Sequence, residues 1–287
     1  MNGIVKNIQL SENVFRMTIN APQIAAKRKA GQFVVIMTEG KGERIPLTIV
    51  DSDIDAGTVT IIFQVVGKTT MCLSAMKEGE DLFAVLGPLG MPTEMENFGT
   101  TVVVGGGVGI GVAYPIIKAL KEAGNKVIAI IGARTKDILI LEDEIREICD
   151  RLIVSTDDGS YGVHGFVTNV LQDLIGSGEV INRVFAIGPV PMMKFLCEVT
   201  RPYNIKTIVS LNPIMVDATG MCGACRVSVG GETKFACVDG PEFDGHLVDF
   251  DNMMNRLRAY HTHEESSHQE YHGHVCKIKG GDHGPRP

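Results

Sequence analysis

The sequence predicts a β barrel plus an α/β fold: an antiparallel barrel over residues 1–98, a parallel-sheet α/β domain over 99–211, and a small cysteine-bearing module over 212–250. Three observations carry this. The first third holds short runs of β-branched and aromatic residues broken by turn residues. From Thr100 onward, strand-like and helix-like stretches alternate. Near the end, three cysteines cluster in a segment that breaks this alternation.

In the first region the strand signals are VFRMTINA, QFVVIMTE, TVTIIFQVVG and DLFAVLG, separated by Gly, Asp and Lys turns. Thr100-Thr-Val-Val-Val opens the second as a short buried strand, followed by GGGVGIG and a helix over Val112–Glu122 that ends near Gly124. Strands follow at Lys126–Ile131, Arg151–Ser155, Arg183–Ile187 and Thr207–Ser210. Helices fall between them at Leu141–Cys149, Phe166–Ile175 and Pro191–Glu198. Such alternation implies right-handed βαβ units and a sheet covered on both faces. Residues 251–287 read as a short helix and a polar tail holding six of the eight histidines, a solvated terminus or, through His261, His263, His268, His272 and His274, a metal-binding one, with Cys276 as an exposed thiol.

Composition narrows the function classes. With 27 basic against 34 acidic residues the net charge is −7, which argues against nucleic acid as a partner. No apolar run reaches membrane-spanning length, and MNGIVKNIQLSENVF has no signal-peptide pattern, so a cytoplasmic protein without a membrane partner is expected. In that compartment the seven cysteines are read as ligands or buried thiols. Cys72, Cys149 and Cys197 are scattered among apolar neighbours, whereas Cys222, Cys225 and Cys237 cluster.

The cluster reads Cys222-x2-Cys225-x11-Cys237. A ferredoxin-type 2Fe-2S site is written C-x4-C-x2-C with a distant fourth ligand. Counting back five from Cys222 reaches Asp217, so Asp217, Cys222, Cys225 and Cys237 are the candidate ligands, with a carboxylate in the first place. Gly220 and Gly223 let such a loop curl. The alternatives are a zinc site of three cysteines with His246, or a pair of inert thiols.

Gly105-Gly-Gly-Val-Gly-Ile-Gly111 stands where a strand turns into a helix, a place where N–H groups receive a pyrophosphate. It departs from G-x-G-x-x-G, and no acid follows the second strand, where Gly132-Ala-Arg134-Thr stands instead. The glycines could also merely permit close helix packing. Loops Gly132–Thr135, Ser155–Ser160 and Gly188–Met192 lie at expected strand C-termini, where ligands bind in open sheets. Arg134 suits a 2′-phosphate or an adenine ring, so NADH and NADPH both remain open. In the barrel, Arg44-Ile-Pro-Leu-Thr48 reads by itself as a solvated charge before a strand, and Gly67-Lys-Thr-Thr70 as a turn. No P-loop spacing surrounds the latter.

The order of these elements, with GPLG at Gly87–Gly90 and GPVPMM after them, resembles the ferredoxin–NADP reductase superfamily. With the cysteine cluster, the chain is most similar to the small subunits of NADH-dependent ferredoxin:NADP oxidoreductases, and next to the electron-transfer subunits of dihydroorotate dehydrogenase. The resemblance covers about residues 1–250. It implies FAD in the barrel, a nicotinamide nucleotide, NAD(H) or NADP(H), on the parallel sheet, and a 2Fe-2S cluster in the module. It implies an oxidoreductase subunit that relays electrons by flavin-based bifurcation to a larger flavin and iron–sulfur partner in a heterodimer, reaching ferredoxin through that complex. A different class, a non-redox nucleotide-binding scaffold with a zinc knuckle, is the alternative.

Carried over by resemblance, Arg44, Pro46, Leu47 and Thr48 line the flavin. Phe63, Gln64 and Val65 border its ribityl side, and Gly67, Lys68, Thr69 and Thr70 meet its pyrophosphate. Gly106, Gly107, Val108, Gly109, Arg134, Asp157 and Gly188 border the nicotinamide nucleotide. Arg44 lies four rather than three residues before its hydroxyl partner, Ile187 stands where many relatives carry cysteine, and an aspartate at 217 is what the ferredoxin:NADP small subunit implies. No acid–base pair or nucleophile is called for in such a relay.

Overall fold

The structure, a computed structural model, describes residues 2–40, 42–260 and 266. The expectations for the histidine-rich tail and Cys276 lie outside the described residues. No described helix is long and apolar enough to cross a membrane.

The first sheet holds β1 (Asn2–Ser11), β2 (Val14–Asn20), β3 (Phe33–Met37), β4 (Ile45–Asp53), β5 (Thr58–Gln64), β6 (Asp81–Leu82) and β7 (Ala84–Leu89). Their spatial order is β6-β1-β2-β5-β4-β3-β7, and every neighbouring pair is antiparallel. β6 and β7 stand at opposite ends of this order with only Phe83 between them in the chain. The sheet therefore curls until its edges meet as a near-closed barrel, around a core that includes Met17, Ile19, Ile36, Ile61 and Phe63. Two short helices, α1 (Pro22–Ala25) and α2 (Lys68–Ala75), fill its connections.

β1 and β4 carry no run that stands out in the sequence. β1 interleaves Asn, Lys and Gln with its apolar residues, and β4 contains Pro46, which cannot donate to a ladder. The structure shows where that proline is tolerated. Residues 45–48 pair with β3 alone, and pairing of β4 with β5 begins only at Ile49. The first half of β4 thus keeps one edge open. Gly67-Lys-Thr-Thr70, expected as a turn, is instead the cap and first turn of α2, because the Thr70 hydroxyl accepts from Val66 N at 3.0 Å and Gly67 N at 3.1 Å.

The second sheet runs β11-β10-β9-β8-β12-β13-β16. Its strands are β8 (Thr100–Gly106), β9 (Lys126–Ala133), β10 (Arg151–Thr156), β11 (Val163–His164), β12 (Arg183–Ile187) and β13 (Lys206–Ser210), all parallel, with β16 (Glu242–Asp244) antiparallel at the edge. Helices α3 (Gly109–Glu122), α4 (Glu142–Ile148), α5 (Val167–Gly176) and α6 (Val190–Thr200) cover its faces over two separate cores. The chain leaves β8 toward β9 and later returns to β12 on the other side. The switch point, where such sheets bind ligands, lies between β8 and β12.

Helix α3 begins three residues earlier than expected, inside the glycine run. Gly109 sits so close to β12 that a Cβ would stand 2.6 Å from Ile187 O, and Gly111 meets the barrel's Ile62 at 3.2 Å. Close packing explains these two glycines. Gly107 differs: its φ is +57 and nothing lies within 4 Å of a Cβ.

The cysteine segment forms a loop, a hairpin of β14 (Arg226–Val229) and β15 (Glu232–Phe235), and then returns to the parallel sheet as β16; α7 (Phe250–Leu257) follows. The return was not visible in the sequence because three residues carry too little pattern. Cys225, Ala236, Cys237, Met215 and Ala218 pack with Phe33 and Val35, so the module rests on barrel strand β3.

Candidate functional site

A cleft of about 1090 Å³ separates the barrel from the C-terminal ends of the parallel strands. The open half of β4 forms one wall, presenting Pro46, Leu47 and Thr48, and the end of β5 adds Phe63 and Gln64. Phe63 is fixed by a stacked contact with Phe15, ring centroids 5.9 Å apart. Thr70 borders the same wall, although its hydroxyl is already engaged in the α2 cap. Arg44, Val65, Gly67, Lys68 and Thr69 do not reach the cleft. Arg44 is exposed, and the Thr69 hydroxyl donates to Glu43.

The opposite wall is the switch point. Gly106, Gly107, Val108 and Gly109 line it at the end of β8, and Gly188 at the end of β12. Arg134 and Asp157 stand side by side because the β9–β10 ladder continues past its strands: Asp157 N donates to Ala133 O at 3.1 Å and Asp158 N to Arg134 O at 3.2 Å. Burial raises the Asp157 carboxyl above its ordinary range, and the Arg134 guanidinium opposes the rise. Asp157 thus supplies, from the third strand, an acid that is missing after the second.

Sequence reasoning missed a third group. Ser210, Leu211, Asn212, Pro213, Met215 and Pro241 close the end of the cleft. The rule that found the other loops, that ligands collect at strand C-termini, applies equally after β13 and would have found all of them but Pro241, which precedes the antiparallel β16.

Behind β3 lie the cysteines. Cys225 and Cys237 are buried at 2% and 1% exposure, with their sulfurs 3.1 Å apart, and Cys222 is exposed. Asp217 shapes the loop, its Oδ1 accepting from Thr219 N and Oδ2 from Cys222 N, both at 2.9 Å. Those backbone N–H groups hold its carboxyl below the ordinary range. Ala218, Gly220 and Gly223 all take left-handed φ, which curls the loop. Among the described residues, no three His, Cys, Asp or Glu side chains stand together as a metal site. The structure joins Cys225 to Cys237 but leaves Cys222 and Asp217 apart from them. His246 is not at hand for a zinc set: its ring is 2.9 Å from the Thr200 hydroxyl at the end of α6.

An antiparallel barrel, a parallel sheet at its side and a cleft on the switch point define the flavin- and nicotinamide-nucleotide-binding fold of the ferredoxin–NADP reductase class. A ferredoxin NADP+ reductase from Neisseria gonorrhoeae, solved with bound FAD and NADP, shares this fold at a TM-score of 0.59 and 18% identity, over 71% of this chain and 90% of that one. Residues 212–249 match the iron–sulfur cluster binding domain of dihydroorotate dehydrogenase B. The electron transfer subunit homolog of dihydroorotate dehydrogenase B (NAD(+)) from Thermotoga maritima is 50% identical over 94% of this chain and 95% of its own. The electron transfer subunit from Bacillus caldolyticus is 35% identical over 82% and 92%. The chain belongs to the family of dihydroorotate dehydrogenase B electron transfer subunits. A chain of the NADH-dependent reduced ferredoxin-NADP oxidoreductase, solved in a study of flavin-based electron bifurcation, superposes at a TM-score of 0.90 with 49% identity, covering 94% of this chain and 98% of that one.

Proposed function

We propose that this chain is the electron-transfer subunit of a bifurcating NADH-dependent ferredoxin:NADP oxidoreductase, working beside a larger flavin and iron–sulfur subunit and reaching ferredoxin through that complex. The observation that carries the reading is spatial. One barrel strand, β3, has the cleft-lining β4 as its neighbour and the buried cysteine pair packed against it.

The residues fit the groups this reading requires. The open β4 edge offers unpaired backbone at Pro46, Leu47 and Thr48 to a flat heterocycle. Phe63 and Gln64 continue that wall, and the uncrowded Gly107 at the start of α3 leaves room for a pyrophosphate. Gly106–Gly109, Gly188, Arg134 and Asp157, which line the opposite wall, would hold a nicotinamide nucleotide. The donor set of Asp217, Cys222, Cys225 and Cys237 suits iron, with two thiols already adjacent in an apolar setting. Cys222 and Asp217, on the same loop, would complete the ligand set. Bound FAD would supply the conversion between two-electron nicotinamide chemistry and one-electron iron–sulfur chemistry. The chain's own part is to align the two rings, exclude water from the cleft and keep the cysteines behind the flavin wall.

A second reading, the electron-transfer subunit of dihydroorotate dehydrogenase, is supported by the 50% identical relative. Purifying the native complex separates the two through the identity of the large subunit. The shared chemistry is tested by an absorption spectrum with iron, sulfide and flavin analysis on anaerobically purified protein. Flavin bands over a broad iron–sulfur envelope are expected. A colourless protein containing zinc would instead support a nucleotide-binding scaffold.

A further inference from the structure

Glu242 opens β16, five residues beyond Cys237, and is half-buried, its carboxyl reaching a point where three parts of the fold meet. The barrel supplies the floor. Gly31 has φ +82, and a Cβ there would run into the Thr93 hydroxyl and stand 3.0 Å from Glu242 Oε1. From the connection between the two sheets, the Thr93 hydroxyl donates to Glu242 Oε1 at 2.6 Å. From the parallel sheet, Ser210 stands opposite Glu242 in the β13–β16 ladder and borders the cleft. Backbone bonds ring the group: Met91 N donates to Gly240 O at 2.6 Å, Thr93 N to Ala30 O at 2.9 Å and Leu211 N to Pro241 O at 2.9 Å.

No charged partner enters this enclosure among the described groups. Glu94, next along the connection, is 2.8 Å from Arg183 and 3.8 Å from Lys206, the cation of β13. Asp244, two residues on in β16, accepts from the His246 backbone N–H. Lys29, on the barrel side, is exposed. A buried carboxylate needs a cation or several donors, and a single hydroxyl does not meet that need. A neutral carboxyl has no charge to compensate and needs only ordinary hydrogen-bond partners.

We propose that Glu242 is a positioning residue: its protonated carboxyl fastens the segment carrying Cys225 and Cys237 to the barrel and the connection, and its ionisation loosens that junction. The proton passes to water, and the carboxylate left behind draws in solvent or swings out. Burial pushes the group up to about 7, which places this change near neutrality. The consequence for electron flow rests on the flavin-to-cluster route proposed above. A loosened junction separates the cysteines from the cleft wall, so delivery of electrons slows as pH rises past neutrality.

The test is hydrogen exchange at the Met91, Thr93 and Leu211 amides of the full chain with its cofactors. It is corrected for intrinsic rates and compared between about pH 6 and about pH 8.5. In the unaltered protein, protection at these amides is expected to fall by about tenfold or more, while β9 amides hold theirs. Glu242→Gln keeps an acceptor for Thr93 and cannot ionise, so its protection should stay level. Thr93→Val removes the donor and should lower protection already at the acid end. A flat profile in the unaltered protein, or the same fall in Glu242→Gln, overturns the proposal. Exchange reads the junction whether or not the loop holds iron, so failure of the spectral test and failure here remain distinct results.

Discussion

Gly109 and Gly107 sit two residues apart and answer to different forces. A Cβ on Gly109 would press on Ile187 O at 2.6 Å and Gly188 Cα at 2.9 Å, backbone that cannot yield cheaply. Gly109→Ala is therefore expected to cost about 2–3 kcal/mol in urea unfolding. Gly107→Ala meets no neighbour and carries only the strain of its positive φ, about 1 kcal/mol, so its main effect should be weaker nucleotide binding. Cys225→Ser is expected to abolish iron incorporation. Asp217→Cys should retain a cluster with a shifted potential, read by redox titration. The glycine run was legible as a strand-to-helix turn. Which glycine serves packing was not, because that depends on Ile62 and Ile187, far away in sequence.

The elements most easily read were those buried on both faces. β12 appears with the bounds its apolar run implies, since a parallel strand between two helical layers is apolar throughout. β4 was illegible for the reason that makes it useful: Pro46 and an unpaired edge suit a cleft wall and weaken a strand signal. The join between α3 and β9 depends on Asn125, 2% exposed. Its Oδ1 accepts from Phe98 N at 2.7 Å, and its Nδ2 donates to Glu96 O at 2.8 Å and Leu120 O at 2.9 Å. Asn125→Ala leaves one buried donor and two acceptors without this partner. A loss of about 2–4 kcal/mol is expected, measured by denaturant midpoint at constant slope.

Across the whole molecule, acids pull stability in opposite directions with pH. Glu242 is raised from 4.5 to about 7 in the fold, so its contribution is complete below pH 4.5 and is lost as pH climbs through 7, amounting to about 3 kcal/mol. Glu144, half-buried beside Arg16, is held low by that guanidinium against the opposing effect of burial, so its contribution is present above 4.5 and is lost on acidification. Thermal melts should therefore peak on the acid side of neutrality, and Glu242→Gln should flatten the fall between pH 4.5 and about 7. If that variant kept the full decline, another group would be responsible. The order of regimes along the chain was open to reading because each has its own periodicity. The junction at Glu242 was not, since it brings together Gly31, Thr93 and β16 from three distant stretches.

The adjacency of Cys225 and Cys237 also bears on how the protein must be made. Their sulfurs are 3.1 Å apart, whereas a covalent disulfide needs about 2.05 Å, a shift of roughly one ångström. Until iron arrives, dioxygen can take two electrons and two protons from the pair, leaving hydrogen peroxide and a cross-link where two ligands belong. Chains matured in air should then refuse the metal until a dithiol reductant reopens the bridge, so assembly of the cluster becomes a race between loading and oxidation.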